Sequence, residues 1–152
     1  MKKIVFPLLA ALISTCIYSQ DEELPSKVDN AFKLKYPDAK NVYWYTVEDG
    51  YGLEFEISTD TYTATYSENG SWIETAKVIS DSDVPFEVVN AVRKKYPHVD
   101  ISYAEKVETA KEEKYYRLNC YSEDADYIID VSAEGTILHT NKSVNNYDFD
   151  EA

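Results

Sequence analysis

Leu24–Pro37 reads Leu-Pro-Ser-Lys-Val-Asp-Asn-Ala-Phe-Lys-Leu-Lys-Tyr-Pro, and Val84–Pro97 reads Val-Pro-Phe-Glu-Val-Val-Asn-Ala-Val-Arg-Lys-Lys-Tyr-Pro. Pro25 aligns with Pro85, Val28 with Val88, Asn30-Ala31 with Asn90-Ala91, and Lys35-Tyr36-Pro37 with Lys95-Tyr96-Pro97, every pair 60 positions apart. Self-similarity at a fixed period marks an architecture made from copies of one unit. Each stretch also predicts a helix. Leu24, Val28, Ala31 and Phe32, like Val84, Val88, Ala91 and Val92, recur at the i, i+4, i+7, i+8 spacing of one helical face. Lys35 and Lys95 extend the stripe with their aliphatic stems. A proline in the first turn costs no hydrogen bond. The closing Tyr-Pro forces the tyrosine out of helical geometry and stops the helix.

Outward from the first helix the period changes to two. Val42–Val47 is β-branched and aromatic. Glu48-Asp49-Gly50 forms a turn. Tyr51–Ile57 then alternates, with Tyr51, Leu53, Phe55 and Ile57 against Gly52, Glu54 and Glu56. Thr61–Tyr66 sets Tyr62, Ala64 and Tyr66 against three threonines. Glu68-Asn69-Gly70 turns again into a short strand over Ser71–Thr75 carrying Trp72. One apolar and one polar side per strand is the pattern of an antiparallel sheet covered on one face. After the second helix the correspondence resumes at an offset of 65, Tyr51 with Tyr116 and Gly70 with Gly135. The extra residues fit the charged run Glu108–Lys114, read as a longer solvated hairpin tip. The predicted class is α+β: two tandem α-β-β-β-β repeats, over 21–80 and 81–140, each an antiparallel sheet with its helix packed on one face. An acidic disordered tail is expected over 141–152.

Met1–Gln20 carries Lys2 and Lys3, an apolar run Ile4–Ile13 and then small and polar residues, the three regions of a secretory signal peptide. That run is short for a bilayer span, so the mature chain is expected to be periplasmic or extracellular with no membrane span. Lipidation at Cys16, through Ile13-Ser14-Thr15-Cys16, is the less favoured alternative, because Thr15 is bulky for that position. Lys and Arg number 15 against 28 Asp and Glu in 152 residues, a net charge of −13. That field repels nucleic acid and anionic lipid. Beyond the leader Cys120 stands alone, so neither an internal disulfide nor a zinc cluster is expected. Its phase with Tyr116 and Leu118 makes it a small buried residue.

Leu24-Pro25, Tyr36-Pro37, Trp44, the strand Tyr51-x-Leu53-x-Phe55 and Asn69-Gly70-Ser71-Trp72 together resemble the PepSY-like, beta-lactamase-inhibitor-protein-like family of secreted bacterial domains. Val84-Pro85 and Tyr96-Pro97 carry the likeness in the second half, which departs from it at Ala104 and Ile137, opposite Trp44 and Trp72. The resemblance spans about residues 24–140. It implies a helix packed on one face of a four-stranded sheet, two copies in tandem, and binding without catalysis. Members with known roles include inhibitors of secreted hydrolases.

The two-residue period names the residues left on the uncovered face. These are Glu54, Glu56, Thr61, Thr63 and Thr65 in the first half and Tyr115, Arg117, Asn119 and Tyr121 in the second. With Val42 and Trp44 inward, Tyr43, Tyr45 and Tyr103 join them. A face rich in tyrosine, with an arginine, has the composition of a protein-binding surface. Tyrosine and threonine are also simply good strand formers. The candidate partner-binding residues are thus Tyr43, Tyr45, Tyr103, Tyr115, Arg117, Asn119 and Tyr121. Catalytic signatures are missing: there is no glycine-rich phosphate loop, no His-Glu-x-x-His, and His98 and His139 stand apart. Glu54 and Glu56 read as a solvated strand face rather than a carboxylate pair, and Ser122–Asp126 lacks the glycine and closing glutamate of a calcium loop. No enzyme, cofactor or metal is expected. The expected function is a secreted, non-enzymatic binding module with a protein partner, an inhibitor or regulator of an extracytoplasmic hydrolase. The alternative is an envelope structural or sensing protein that binds a small ligand or cation.

Overall fold

A computed structural model of the chain describes residues 23–144. The expected leader over 1–20 lies outside them, as do residues 145–152 of the expected tail. The chain runs α1 (Ser26–Lys35), β1 (Lys40–Val47), β2 (Gly50–Ile57), β3 (Asp60–Ser67), β4 (Trp72–Ile79), a 3-10 turn (Asp81–Asp83), α2 (Phe86–Lys95), β5 (Asp100–Thr109), β6 (Lys114–Tyr121), β7 (Ala125–Val131) and β8 (Ile137–Val144). Asn141–Val144, expected in the tail, instead completes β8.

All eight strands belong to one antiparallel sheet in the order β1 to β8. This overturns the expected fold class of two tandem α-β-β-β-β repeats. β4 and β5 pair from Glu74↔Thr109 to Ile79↔Ala104, so the sheet has no boundary where the two units were expected to part. The reason is the edge of a sheet. Two separate sheets would expose four rows of unpaired backbone N–H and C=O groups, and the β4–β5 ladder removes two of them. It also draws β4 out to Ile79, four residues past its expected end at Thr75. The charged run Glu108–Lys114 is corrected too: its first two residues end the ten-residue β5 and its last opens β6, leaving a tight turn over 110–113.

The helices start and stop as their prolines dictate. Pro25 and Pro85 precede the first helical residues, and Tyr36 and Tyr96 close each helix with their N–H groups on Phe32 and Val92 carbonyls. Both helices lie on the same face of the sheet. On β4, Thr75 meets Tyr36 from the end of α1, and Ile79, four residues on and therefore on the same side, packs into the α2 core. α1 buries Val28 and Phe32 against Leu53, Phe55, Ala64 and Tyr66. The ring of Phe32 stands edge-on to Phe55 at 5.0 Å. α2 buries Val88 and Val92 against Ala104, Leu118, Cys120, Ile129 and Val131. Burying one such aliphatic side chain stabilises by about 1.5–3 kcal/mol. Gly70 and Gly135 hold the turns before β4 and β8 against the helices. Each takes a positive φ, and a methyl group there would sit 2.7 Å from the carbonyl oxygen of Lys27 or Glu87.

Candidate functional site

With the helices on one side, strand register assigns every residue of the other. Tyr43 pairs with Glu54 and Tyr45 with Gly52. The threonines Thr61, Thr63 and Thr65 face the same way from β3. Glu74, Ala76 and Val78 follow on β4, and Val107 and Glu105 on β5. Beyond the bulge in β5, Tyr103 pairs with Asn119, and Arg117 with Glu105. Asp130, Ile128 and Asp126 on β7 lie opposite Arg117, Asn119 and Tyr121. All seven sequence-predicted candidates therefore point to the side away from the helices. Tyr43, Tyr103 and Tyr121 are exposed, Tyr45 just so, and Tyr115, Arg117 and Asn119 are half-buried.

This face is concave. Ala76 and Val107 are buried on it although no helix lies above them. In a flat sheet Tyr45 on β1 and Glu105 on β5 would be about 19 Å apart, four strand spacings. Yet burial raises the Tyr45 phenol, and the carboxylates of Glu54 and Glu105 push it further up. Tyr103 is raised for the same reasons, first by its own burial and then by Glu105, Tyr45 and Glu54. Twist, with a bulge in β1 and another in β5, curls the sheet and brings distant strands together. At one flank the ring of Tyr45 lies over Gly52, where any Cβ would come within 2.6 Å of it. Tyr43 stands beside it, ring centres 6.2 Å apart.

The floor is ionic. Arg117 donates from Nε to Asp130 Oδ1 at 2.8 Å, from Nη1 to Glu74 Oε1 at 2.6 Å, and from Nη2 to the Tyr115 hydroxyl at 2.9 Å and Asp130 Oδ2 at 3.2 Å. Tyr115 in turn donates to Glu74 Oε2 at 3.0 Å. The side chains are mostly out of water: 21% of Arg117, 19% of Glu74 and 11% of Asp130 remain exposed. Burial alone would lower the arginine's affinity for its proton; the hydrogen bonds to Asp130 and Glu74 and their charges more than reverse this. Burial raises the Tyr115 phenol, only partly offset by Arg117. Next to this group Glu105 is 8% exposed. Its Oε2 accepts from Asn119 Nδ2 at 3.2 Å. Burial holds its carboxyl above the usual carboxylate range, with Arg117 and Asn119 pulling the other way.

The structure thus divides the sequence-predicted set. Tyr115 and Arg117 belong to an internal ion cluster, and Asn119 is tied to Glu105. Tyr43, Tyr45, Tyr103 and Tyr121 stand above them with ring surface exposed. Glu74, Glu105 and Asp130 were not among the candidates. The signal for Asp130 was in the sequence: an acid in Tyr-Ile-Ile-Asp-Val, a strand otherwise apolar. The expected cation alternative gains no cluster: among the described residues no group of three or more His, Cys, Asp or Glu side chains is placed to hold a metal ion. Cys120 lies in the α2 core, where burial pushes its thiol up to about 11. Among the described residues no helix is long and apolar enough to cross a membrane.

No family model matches the chain, and no curated protein matches it. Solved structures do. A DUF2874 family protein from Bacteroides ovatus is 23% identical with a TM-score of 0.68, covering 84% of this chain and 93% of that one. A candidate periplasmic protein from Bacteroides eggerthii is 18% identical with a TM-score of 0.69, covering 84% and 94%. A BLIP-like protein from Bacteroides fragilis is 17% identical with a TM-score of 0.64, covering 84% and 92%. At these identities the likeness is one of fold. It supports the beta-lactamase-inhibitor-protein-like side of the resemblance; none of the three bears the PepSY-like description.

Proposed function

We propose that this chain is a non-enzymatic binding module of the bacterial periplasm or cell exterior, and that the concave sheet face is its binding surface. The observation that carries the reading is the contrast between the two faces. One is covered by both helices. The other carries exposed tyrosines over a pre-formed ionic floor and is covered by no element among the described residues. Rigid aromatic side chains around a fixed polar centre make contact area at low entropic cost, the arrangement protein interfaces favour. The leader-like N-terminus and the periplasmic and BLIP-like descriptions of the fold neighbours support the compartment. A protein partner, with inhibition of an extracytoplasmic hydrolase by steric occlusion, is the form of binding that an uncovered, tyrosine-bearing sheet face suits.

The test is cross-linked capture from an envelope extract, with three baits: the mature chain, a Tyr45→Ala/Tyr103→Ala variant and a Leu34→Lys variant. Leu34 is 87% exposed on α1, on the far side of the molecule. The concave-face variant should lose a stoichiometric partner that the α1 variant retains, and that partner's hydrolytic activity should fall as the mature chain is added. Equal capture by all three baits would overturn the reading.

A further inference from the structure

Charge is distributed unevenly over the concave face. Register places Glu54, Glu56, Glu74, Glu105, Asp126 and Asp130 on it, against Arg117 and, at the margin, Lys40. Arg117 is committed: its guanidinium is divided among Glu74, Asp130 and Tyr115. Glu105 lies directly opposite Arg117 across the β5–β6 ladder, yet it forms no ion pair among the described residues. Its one side-chain hydrogen bond is the amide of Asn119 on Oε2; Oε1 accepts from no donor among the described residues and is not fully buried, so it stays within reach of solvent. A carboxylate over nine-tenths buried, whose nearest cation Arg117 is shared with Glu74 and Asp130, is costly, because its desolvation is only partly offset. A buried group kept at such a cost is a candidate for completion by a ligand.

The surroundings specify the ligand's chemistry. Tyr45 and Tyr103 are close enough to Glu105 and Glu54 for those carboxylates to act on their phenols. Both rings keep exposed surface, 38% and 44%. Carboxylate below and tyrosine faces beside form the environment that binds an ammonium or guanidinium group, by ion pairing and by attraction to the ring faces. An anion would be repelled, and an apolar side chain would leave Glu105 desolvated and unpaired.

Building on the reading of this face as the binding surface, we infer that it recognises a protein loop presenting a lysine or arginine, seated on Glu105 and Glu54 between Tyr45 and Tyr103. The ion pair Glu105 lacks in the free chain is supplied by the partner. The buried carboxylate then gives specificity: a loop without a cation in that position leaves the charge uncompensated, a penalty that rejects wrong partners.

The experiment is a selection of disulfide-cyclised random loops, displayed and panned on the mature chain at about 0.15 M salt, where diffuse attraction to an acidic protein is screened beyond about 8 Å. Tyr45→Ala/Tyr103→Ala protein serves for counter-selection, so that concave-face binders are kept. Loops enriched in Lys or Arg at one fixed position are expected. Their affinity should fall about tenfold or more on Glu105→Gln, as loss of a buried charge partner requires. It should stay within about twofold on Glu123→Gln, an exposed acid off the face. Folding of Glu105→Gln is checked by its urea midpoint at pH 7, which should equal or exceed that of the parent, since a desolvated charge with no ion pair of its own is removed. Concave-face binders without a fixed cation would overturn this inference and leave the binding-face reading standing. Equal weakening by Glu105→Gln and Glu123→Gln would overturn it as well, by assigning the cation preference to net charge. A selection with no concave-face binders would overturn both.

Discussion

Replacing Arg117 by methionine tests the ionic floor directly. The side chain keeps much of its length and apolar stem and loses only the guanidinium. Glu74 and Asp130, 19% and 11% exposed, are then left facing each other across the vacancy with Glu105 close by. Four donor contacts of 3.2 Å or less disappear at once. Removing one member of a buried ion group costs about 3–5 kcal/mol, against a total stability of about 5–15 kcal/mol for a domain. With a urea slope of about 2 kcal/mol/M, the unfolding midpoint at pH 7 should fall by about 2 M. Urea titrations of parent and Arg117→Met at pH 7 should show this gap. Adding Glu74→Gln and Asp130→Asn should restore most of the loss at pH 7, since neutralising a whole buried ion group is far less costly than orphaning part of it. A loss under about 1 kcal/mol at pH 7 would refute the reasoning and mark the cluster as solvated.

Three further predictions address the packing that holds the face in shape. The Tyr66 hydroxyl is buried beneath α1 with no hydrogen-bond partner, so Tyr66→Phe should gain about 1 kcal/mol and raise the melting temperature by about 3 °C; a lower melting temperature in calorimetry would show the hydroxyl to be satisfied. With its thiol pushed up to about 11 by burial, Cys120 should resist a thiol reagent at pH 8 and react only as fast as urea opens the fold, and rapid labelling without urea would contradict its place in the α2 core. Gly135 has a φ of +84°, and a Cβ there would lie 2.7 Å from the Glu87 carbonyl; Gly135→Ala should lower stability by about 1–3 kcal/mol in urea unfolding, whereas an unchanged midpoint would show that the turn swings clear of α2 at little cost.

The helices were legible because their signals are local. Proline at the start, Tyr-Pro at the end and a 3.6-residue stripe between them place both ends within two residues of the observed Ser26–Lys35 and Phe86–Lys95. Strand faces were legible for the same kind of reason, since a period of two survives whatever the partner strand is. The β4–β5 ladder was not. In the chain β4 and β5 are separated by Asp81–Asp83 and α2, and the hydrogen bonds that join the two strands run between backbone groups, which leave no mark on side-chain spacing. The same limit explains the site. Tyr43, Tyr45 and Tyr103 follow from alternation on one strand at a time. That Glu74 meets Arg117, and that Arg117 meets Asp130, depends on register across three ladders and on the curl of the sheet, neither of which is written in any single stretch.

The ladder that unites the sheet and the cluster that forms the floor are parts of one arrangement. Glu74 stands on β4, Arg117 on β6 and Asp130 on β7, so the cluster reaches across the β4–β5 seam. Val107, 1% exposed on the uncovered face, has Ala76 opposite it on one side and Tyr115 on the other. In the register it lies between Glu74 and Arg117, whose ion pair crosses above it. Had the two halves formed separate sheets, Glu74 would stand on a solvated edge, and Arg117 would lose one of its two carboxylates. The concavity that brings Tyr45 and Glu54 towards Tyr103 and Glu105 would be lost with it, because those residues come from opposite sides of the seam. A change at the seam should therefore register in two ways at once, as lost stability and as lost binding by the concave face, while one confined to the helix-covered cores should spare the face until the fold itself fails.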